Sequence, residues 1–140
     1  MLDCLIVGDS IAVGVANVRT ECVSYSKGGI NSHQWVNANV GKSPYMAKTV
    51  IISLGSNDHK YVKTESELRT IRQLTKAERV YWILPAGNLK ASEVNIKYIQ
   101  FLIKEIAKEY GDIVLPISKL QKDGIHPSWA GYKDIAEITR

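Results

Sequence analysis

Five short, nearly continuous apolar runs, at residues 2–7, 22–26, 49–54, 80–84 and 113–115, alternate with stretches of helical periodicity. A strand that is apolar on both faces must be covered on both, which is the condition of a parallel sheet clothed by helices. The intervening stretches supply those helices. Residues 11–18 and 32–40 carry short helical patterns, and 64–75 opens with Thr64-Glu65-Ser66-Glu67, the spacing of a capping box. Residues 92–110 place Ile99, Leu102, Ile103, Ile106 and Tyr110 along one side. The last helix, 128–139, follows Pro127 and has Ser128 as its cap. This alternation predicts an α/β fold with right-handed crossovers: a three-layer α/β/α sandwich around a five-stranded parallel sheet.

The chain has 140 residues with no repeat, low-complexity tract or linker, which predicts one domain over 1–140. No apolar run approaches the roughly 20 residues that cross a bilayer. Met1-Leu2-Asp3-Cys4-Leu5-Ile6-Val7 has no basic leader and reads as a first core strand, so a cytoplasmic setting and no membrane partner are expected. Cys4 and Cys22 fall inside predicted strands, where they are expected as two small buried hydrophobes and not as a disulfide framework. CxxC, HExxH and cysteine–histidine clusters are absent from the sequence, so no metal and no cofactor are expected. The net charge of +4 is spread out, with Lys97, Lys104 and Lys108 at the spacing of a solvated helix face. Aromatic residues do not interleave with the basic ones, so nucleic acid is not an expected partner. The sequence does not set an oligomeric state.

In an open parallel sheet, ligands bind beyond the carboxyl ends of the strands. Four clusters share that address: Gly8-Asp9-Ser10, Gly28-Gly29, Gly55-Ser56-Asn57-Asp58 and Asp123-Gly124-Ile125-His126. Ser10 stands where a strand turns into a helix, so its amide lies at the positive helix end. His126 has the chemistry of a general base, and Asp123 that of the group that orients it. A glycine at 29 exposes its amide, and the Asn57 side chain offers a second donor. With the Ser10 amide these form a candidate oxyanion hole. Each cluster has a plainer reading on its own: a helix cap at Ser10, a loop histidine at 126, turns at Gly28-Gly29 and Asn57-Asp58. His33, His59 and Trp129 lie close by in sequence, either lining a cleft or lying on the surface or in helix packing.

Taken in order, the clusters resemble the four blocks of the SGNH (GDSL-like) hydrolases. Gly8-Asp9-Ser10 is similar to the serine block and Gly29 falls at the oxyanion glycine. Gly55-Ser56-Asn57-Asp58 is similar to the G-x-N-D block, and Asp123 through Pro127 with Ala130-Gly131-Tyr132 to the closing D-x-x-H block. The resemblance spans almost the whole chain. It implies a flavodoxin-like strand order, Ser10 as nucleophile, His126 as base with Asp123 as its partner, and Ser10, Gly29 and Asn57 as oxyanion donors. The implied activity is a serine esterase working through an acyl-enzyme on a small-molecule or carbohydrate ester. Its expected form is a carbohydrate O-deacetylase, with a short-chain lipid or thioester hydrolase as the alternative. A non-catalytic carbohydrate- or phosphate-binding module on the same scaffold is the reading of another kind. Gly8-Asp9-Ser10-Ile11-Ala12 also fits a nucleophile elbow loosely, but that fold places several strands before its serine and this chain has one.

Overall fold

The computed structural model describes residues 1–87 and 94–140. Among these, five strands form one sheet: β1 (Leu2–Gly8), β2 (Val23–Ser26), β3 (Tyr45–Ser53), β4 (Thr75–Leu84) and β5 (Ile113–Pro116). Their order is β2-β1-β3-β4-β5 and every pairing is parallel, the flavodoxin-like order expected. The helices are α1 (Ser10–Val18), α2 (Ser32–Asn39), α3 (Thr64–Gln73), α4 (Ile96–Tyr110) and α5 (Trp129–Ile138). Alternate residues of each central strand face opposite layers. Leu5, Val7, Val50, Ile52 and Trp82 meet Trp35 of α2, Leu68 and Ile71 of α3, and Ile99, Ile103 and Ile106 of α4. Ile6, Ile51 and Ile83 meet Ile11, Ala12 and Val15 of α1 and Ile135 of α5. Both faces are thus buried, and this is why the strands read as continuous apolar runs. No helix among the described residues is long and apolar enough to cross a membrane.

Several expectations are corrected. β3 and β4 begin earlier than their apolar runs, at Tyr45 and Thr75. At that end exposed Met46 and Lys48 alternate with buried Tyr45 and Ala47, so the signal is alternation and not continuity. The Thr64 capping box does not form. Lys63 is the cap residue without a side-chain bond, and the Thr64 hydroxyl donates instead to Asp58. A capping box does form on α2, between Asn31 and Gln34. Tyr110 lies outside the buried stripe of α4, half exposed, with the Arg72 guanidinium over its ring. The first residues of the expected 92–110 helix, Ser92 and Glu93, lie outside the described residues; α4 is described from Ile96.

The cysteines are the largest correction. Cys4 and Cys22 form a disulfide across neighbouring strands. The register that pairs Leu5 with Val23 sets Cys4 opposite Cys22, with 4.9 Å between their Cα atoms, within disulfide range. The bond closes a sequence separation of 18 residues, for which chain-entropy arguments give about 3 kcal/mol. Reduction, or Cys22→Ala, is therefore expected to lower the urea unfolding midpoint by the equivalent of about 3 kcal/mol. An unchanged midpoint in reductant would show that the edge strand does not depend on the bond.

Candidate active site

The site is assembled at the carboxyl ends of β1, β3 and β5. β1 closes at Gly8, where an added Cβ would stand 1.9 Å from the Ser53 carbonyl oxygen and φ is +145°. Only glycine permits this approach, and it lets the Asp9 amide donate to that same carbonyl at 3.0 Å. Asp9 then caps α1 by accepting from the Ile11 amide at 3.0 Å, and Ser10 becomes the first residue of the helix. The serine is fixed by a turn anchored on two strands.

His126 is held by a small closed loop. Leu120 and Pro127 pair across it, the Gln121 amide donates to the His126 carbonyl, and Gly124 turns it with a φ of +69°. Asp123 Oδ1 accepts from the amides of Ile125 and His126 at 2.9 and 3.0 Å. Its Oδ2 meets His126 Nδ1 at 2.7 Å. The Ile125 amide first, then the His126 ring and amide, pull the Asp123 carboxyl down to about 2. Anionic at neutral pH, it can only accept, so Nδ1 carries the ring proton. Nε2 is then an acceptor, and it lies 2.9 Å from Ser10 Oγ. Three expected residues, 116 positions apart at the extremes of the Ser10–His126 bond, form one hydrogen-bonded chain from carboxylate to hydroxyl.

The oxyanion candidates lie on two neighbouring loops. Gly28 approaches the serine, since an added Cβ there would lie 3.9 Å from Ser10 Cβ. Gly29 follows with a left-handed φ of +77°. Asn57 donates one amide hydrogen to the Ile30 carbonyl at 3.0 Å. A side-chain amide has two, so this bond fixes Asn57 against the Gly28–Ile30 segment and leaves its second hydrogen to donate.

Two positioning groups escaped the sequence reading. Asp58 is buried and accepts from the Ser32 amide and hydroxyl and from the Thr64 hydroxyl. It thereby clamps the starts of α2 and α3 together beside Asn57. Its adjacency to Asn57 in the G-x-N-D block was the only available signal. Asp9 is fully buried: Oδ1 accepts from Ser53 Oγ at 3.1 Å as well as from Ile11, while Oδ2 has no hydrogen-bond partner among the described residues. Burial pushes its carboxyl from 3.8 up to about 6, against the opposing pull of the Ser53 hydroxyl and the Ile11 amide. Between those values the native state binds a proton that the unfolded chain has lost. Stability from this group therefore falls as pH rises from about 4 to about 6, by about 3 kcal/mol in all. Asp9→Asn removes the effect. Relative to wild type, its urea-derived stability is expected to rise by about 3 kcal/mol between pH 4 and pH 7. Parallel curves for the two proteins would contradict a buried, titrating Asp9.

Of the other residues considered, Trp129 starts α5 exposed, so it does not pack that helix. His33 bonds Glu67 and Asn37 on the surface, and His59 accepts from the Tyr61 amide.

No protein-family model and no curated protein matches the sequence. Solved structures do match in shape. A GDSL-like lipase from Bacteroides thetaiotaomicron superposes with a TM-score of 0.71 at 17% identity, covering 97% of this chain and 84% of that one. The C-terminal catalytic domain of Streptococcus pneumoniae peptidoglycan O-acetyltransferase A gives 0.70 at 17% identity, over 96% and 88%. A lipase/acylhydrolase from Enterococcus faecalis gives 0.63 at 16% identity, over 97% and 92%. The fold is that of the GDSL-like, or SGNH, hydrolases.

Proposed function

We propose that the protein is a serine esterase that removes small acyl groups, acetyl above all, from a carbohydrate. The observation that carries this reading is the unbroken chain from Asp123 through His126 to Ser10 Oγ, at 2.7 and 2.9 Å. As Oγ attacks the ester carbonyl carbon, Nε2 takes its proton, and Asp123 supports the imidazolium. The carbonyl oxygen gains negative charge among the proposed donors, the Ser10 and Gly29 amides and Asn57. Collapse breaks the bond to the alcohol, which leaves with the proton from Nε2. Water then repeats the sequence, freeing the acid and restoring Ser10.

The names of the structural neighbours, lipases, acylhydrolases and an O-acetyltransferase, are consistent with acyl chemistry on this scaffold. A small acyl group is supported by the cleft at the Gly28–Gly29 segment, whose Gly28 approaches Ser10; it is about 400 Å³ and bordered by Lys27, Gly28, Gly29 and Gln34 with only Ile30 and Ala38 as apolar side chains. Such walls do not enclose a fatty chain. On p-nitrophenyl esters, kcat/KM is expected to fall at least tenfold from acetate to octanoate, roughly the loss that one poorly accommodated segment causes. Faster octanoate hydrolysis would move the assignment to the lipid alternative. The disulfide favours an oxidising compartment as the working environment, over the cytoplasmic setting expected from the N-terminal residues.

A further inference from the structure

Beyond the cleft at Gly28 and Gly29 the surface continues. Gln34 borders both that cleft and a second one of about 580 Å³, enclosed by the start of α2, the loop after Asp58 and the start of α3. His33, His59, Tyr61, Lys63 and Glu67 line it. Tyr61 is 77% exposed, so its ring is open to a ligand. Its ring stands edge-to-face with His59, 6.0 Å between centroids.

The polar groups around Tyr61 have defined roles. His59 Nδ1 accepts the Tyr61 amide hydrogen at 3.3 Å, so the ring proton sits on Nε2, a donor. Gln34 Oε1 is taken by the Asn31 amide, so its NH₂ group is the donor on offer. Glu67 is held by His33 Nδ1 at 3.3 Å through one oxygen, and its second oxygen remains an acceptor. The Lys60 ammonium lies over one face of the Tyr61 ring, 5.2 Å from its centroid, which leaves the opposite face to a ligand ring. An exposed aromatic plate surrounded by fixed donors and an acceptor suits a ring with one apolar face and a rim of hydroxyls.

We propose that this cleft is a subsite for a pyranose ring of a glycan chain, stacked on the open face of Tyr61, and that it presents the acylated sugar to Ser10. The proposal deepens the carbohydrate esterase reading and rests on it for the link to Ser10; the binding itself does not require catalysis.

The test is titration of the wild-type protein with xylohexaose and with chitohexaose, neither of which carries an O-acyl ester, followed by ¹H–¹⁵N chemical shifts. Shifts centred on residues 31–37 and 57–67 with at least one of the two are expected. Tyr61→Ala should weaken binding about tenfold and Tyr61→Trp should restore it, the loss of one stacked ring. On acetylated xylohexaose, Tyr61→Ala should raise KM about tenfold and change kcat less than threefold. Failure of both sugars to bind, or equal binding by Tyr61→Ala, overturns the subsite. Failure of the wild type to hydrolyse p-nitrophenyl acetate overturns the esterase reading and leaves the binding result standing.

Discussion

Ser10→Ala is expected to reduce kcat on p-nitrophenyl acetate by about 10⁴–10⁶, and His126→Ala by a similar factor. The reason is the shared hydrogen bond at 2.9 Å between Ser10 Oγ and His126 Nε2. Without the imidazole the hydroxyl has no acceptor for its proton, and without the hydroxyl the imidazole has nothing to activate. Groups that act as one unit do not lose activity additively, so the double variant should be no slower than either single one. Additive losses would mean that the two residues act separately. Asp123→Asn is expected to be damaging for a different reason. An amide in place of Oδ2 can present a hydrogen to Nδ1, which moves the ring proton to Nε2 and blocks acceptance from Ser10. The fold should survive each change, since Ser10 and His126 are not core residues and the Asp123 loop is also closed by the Leu120–Pro127 pairing.

The second large effect is expected at Asn57. Removing one oxyanion donor typically costs about 10²–10³ in kcat, so Asn57→Ala should fall in that range with KM nearly unchanged. The complication is that Asn57 also holds the Ile30 carbonyl at 3.0 Å, next to Gly28 and Gly29. Loosening that segment would act on binding and stability as well as on turnover. Asn57→Asp separates the two roles. It keeps the volume but offers no donor at neutral pH and places a negative charge near the developing oxyanion, so its kcat should be at or below that of Asn57→Ala. A kcat within threefold of wild type in either variant would remove Asn57 from the mechanism.

The layers were legible because both faces of the sheet are buried, which writes continuous apolar runs into β1 and the inner parts of β3 and β4, whereas the strand order came only from the resemblance of the motif blocks. Where one face is open, as at Met46 and Lys48, the pattern becomes alternation and the strand starts were missed. Ser10, Asp123 and His126 were legible because strand-end clusters converge at one sheet edge. The disulfide was not, because two cysteines say nothing until the register of β1 against β2 sets them opposite one another. Asp58 and Asp9 were hidden for a similar reason. Their partners Ser32 and Ser53 lie 26 and 44 positions away, and burial of a carboxylate has no local signature. Thr64 shows the converse: a good local capping pattern gave way to the stronger acceptor that tertiary structure brought to it.

The central claim is that Ser10 is a nucleophile activated by His126. Phenylmethylsulfonyl fluoride transfers its sulfonyl group to an activated serine with loss of fluoride, and mass spectrometry of the digested protein locates the adduct. One adduct is expected, on the peptide containing Ser10, and none on that peptide in His126→Ala. A folded wild-type protein that stays unlabelled at Ser10, or that labels equally well without His126, would contradict it.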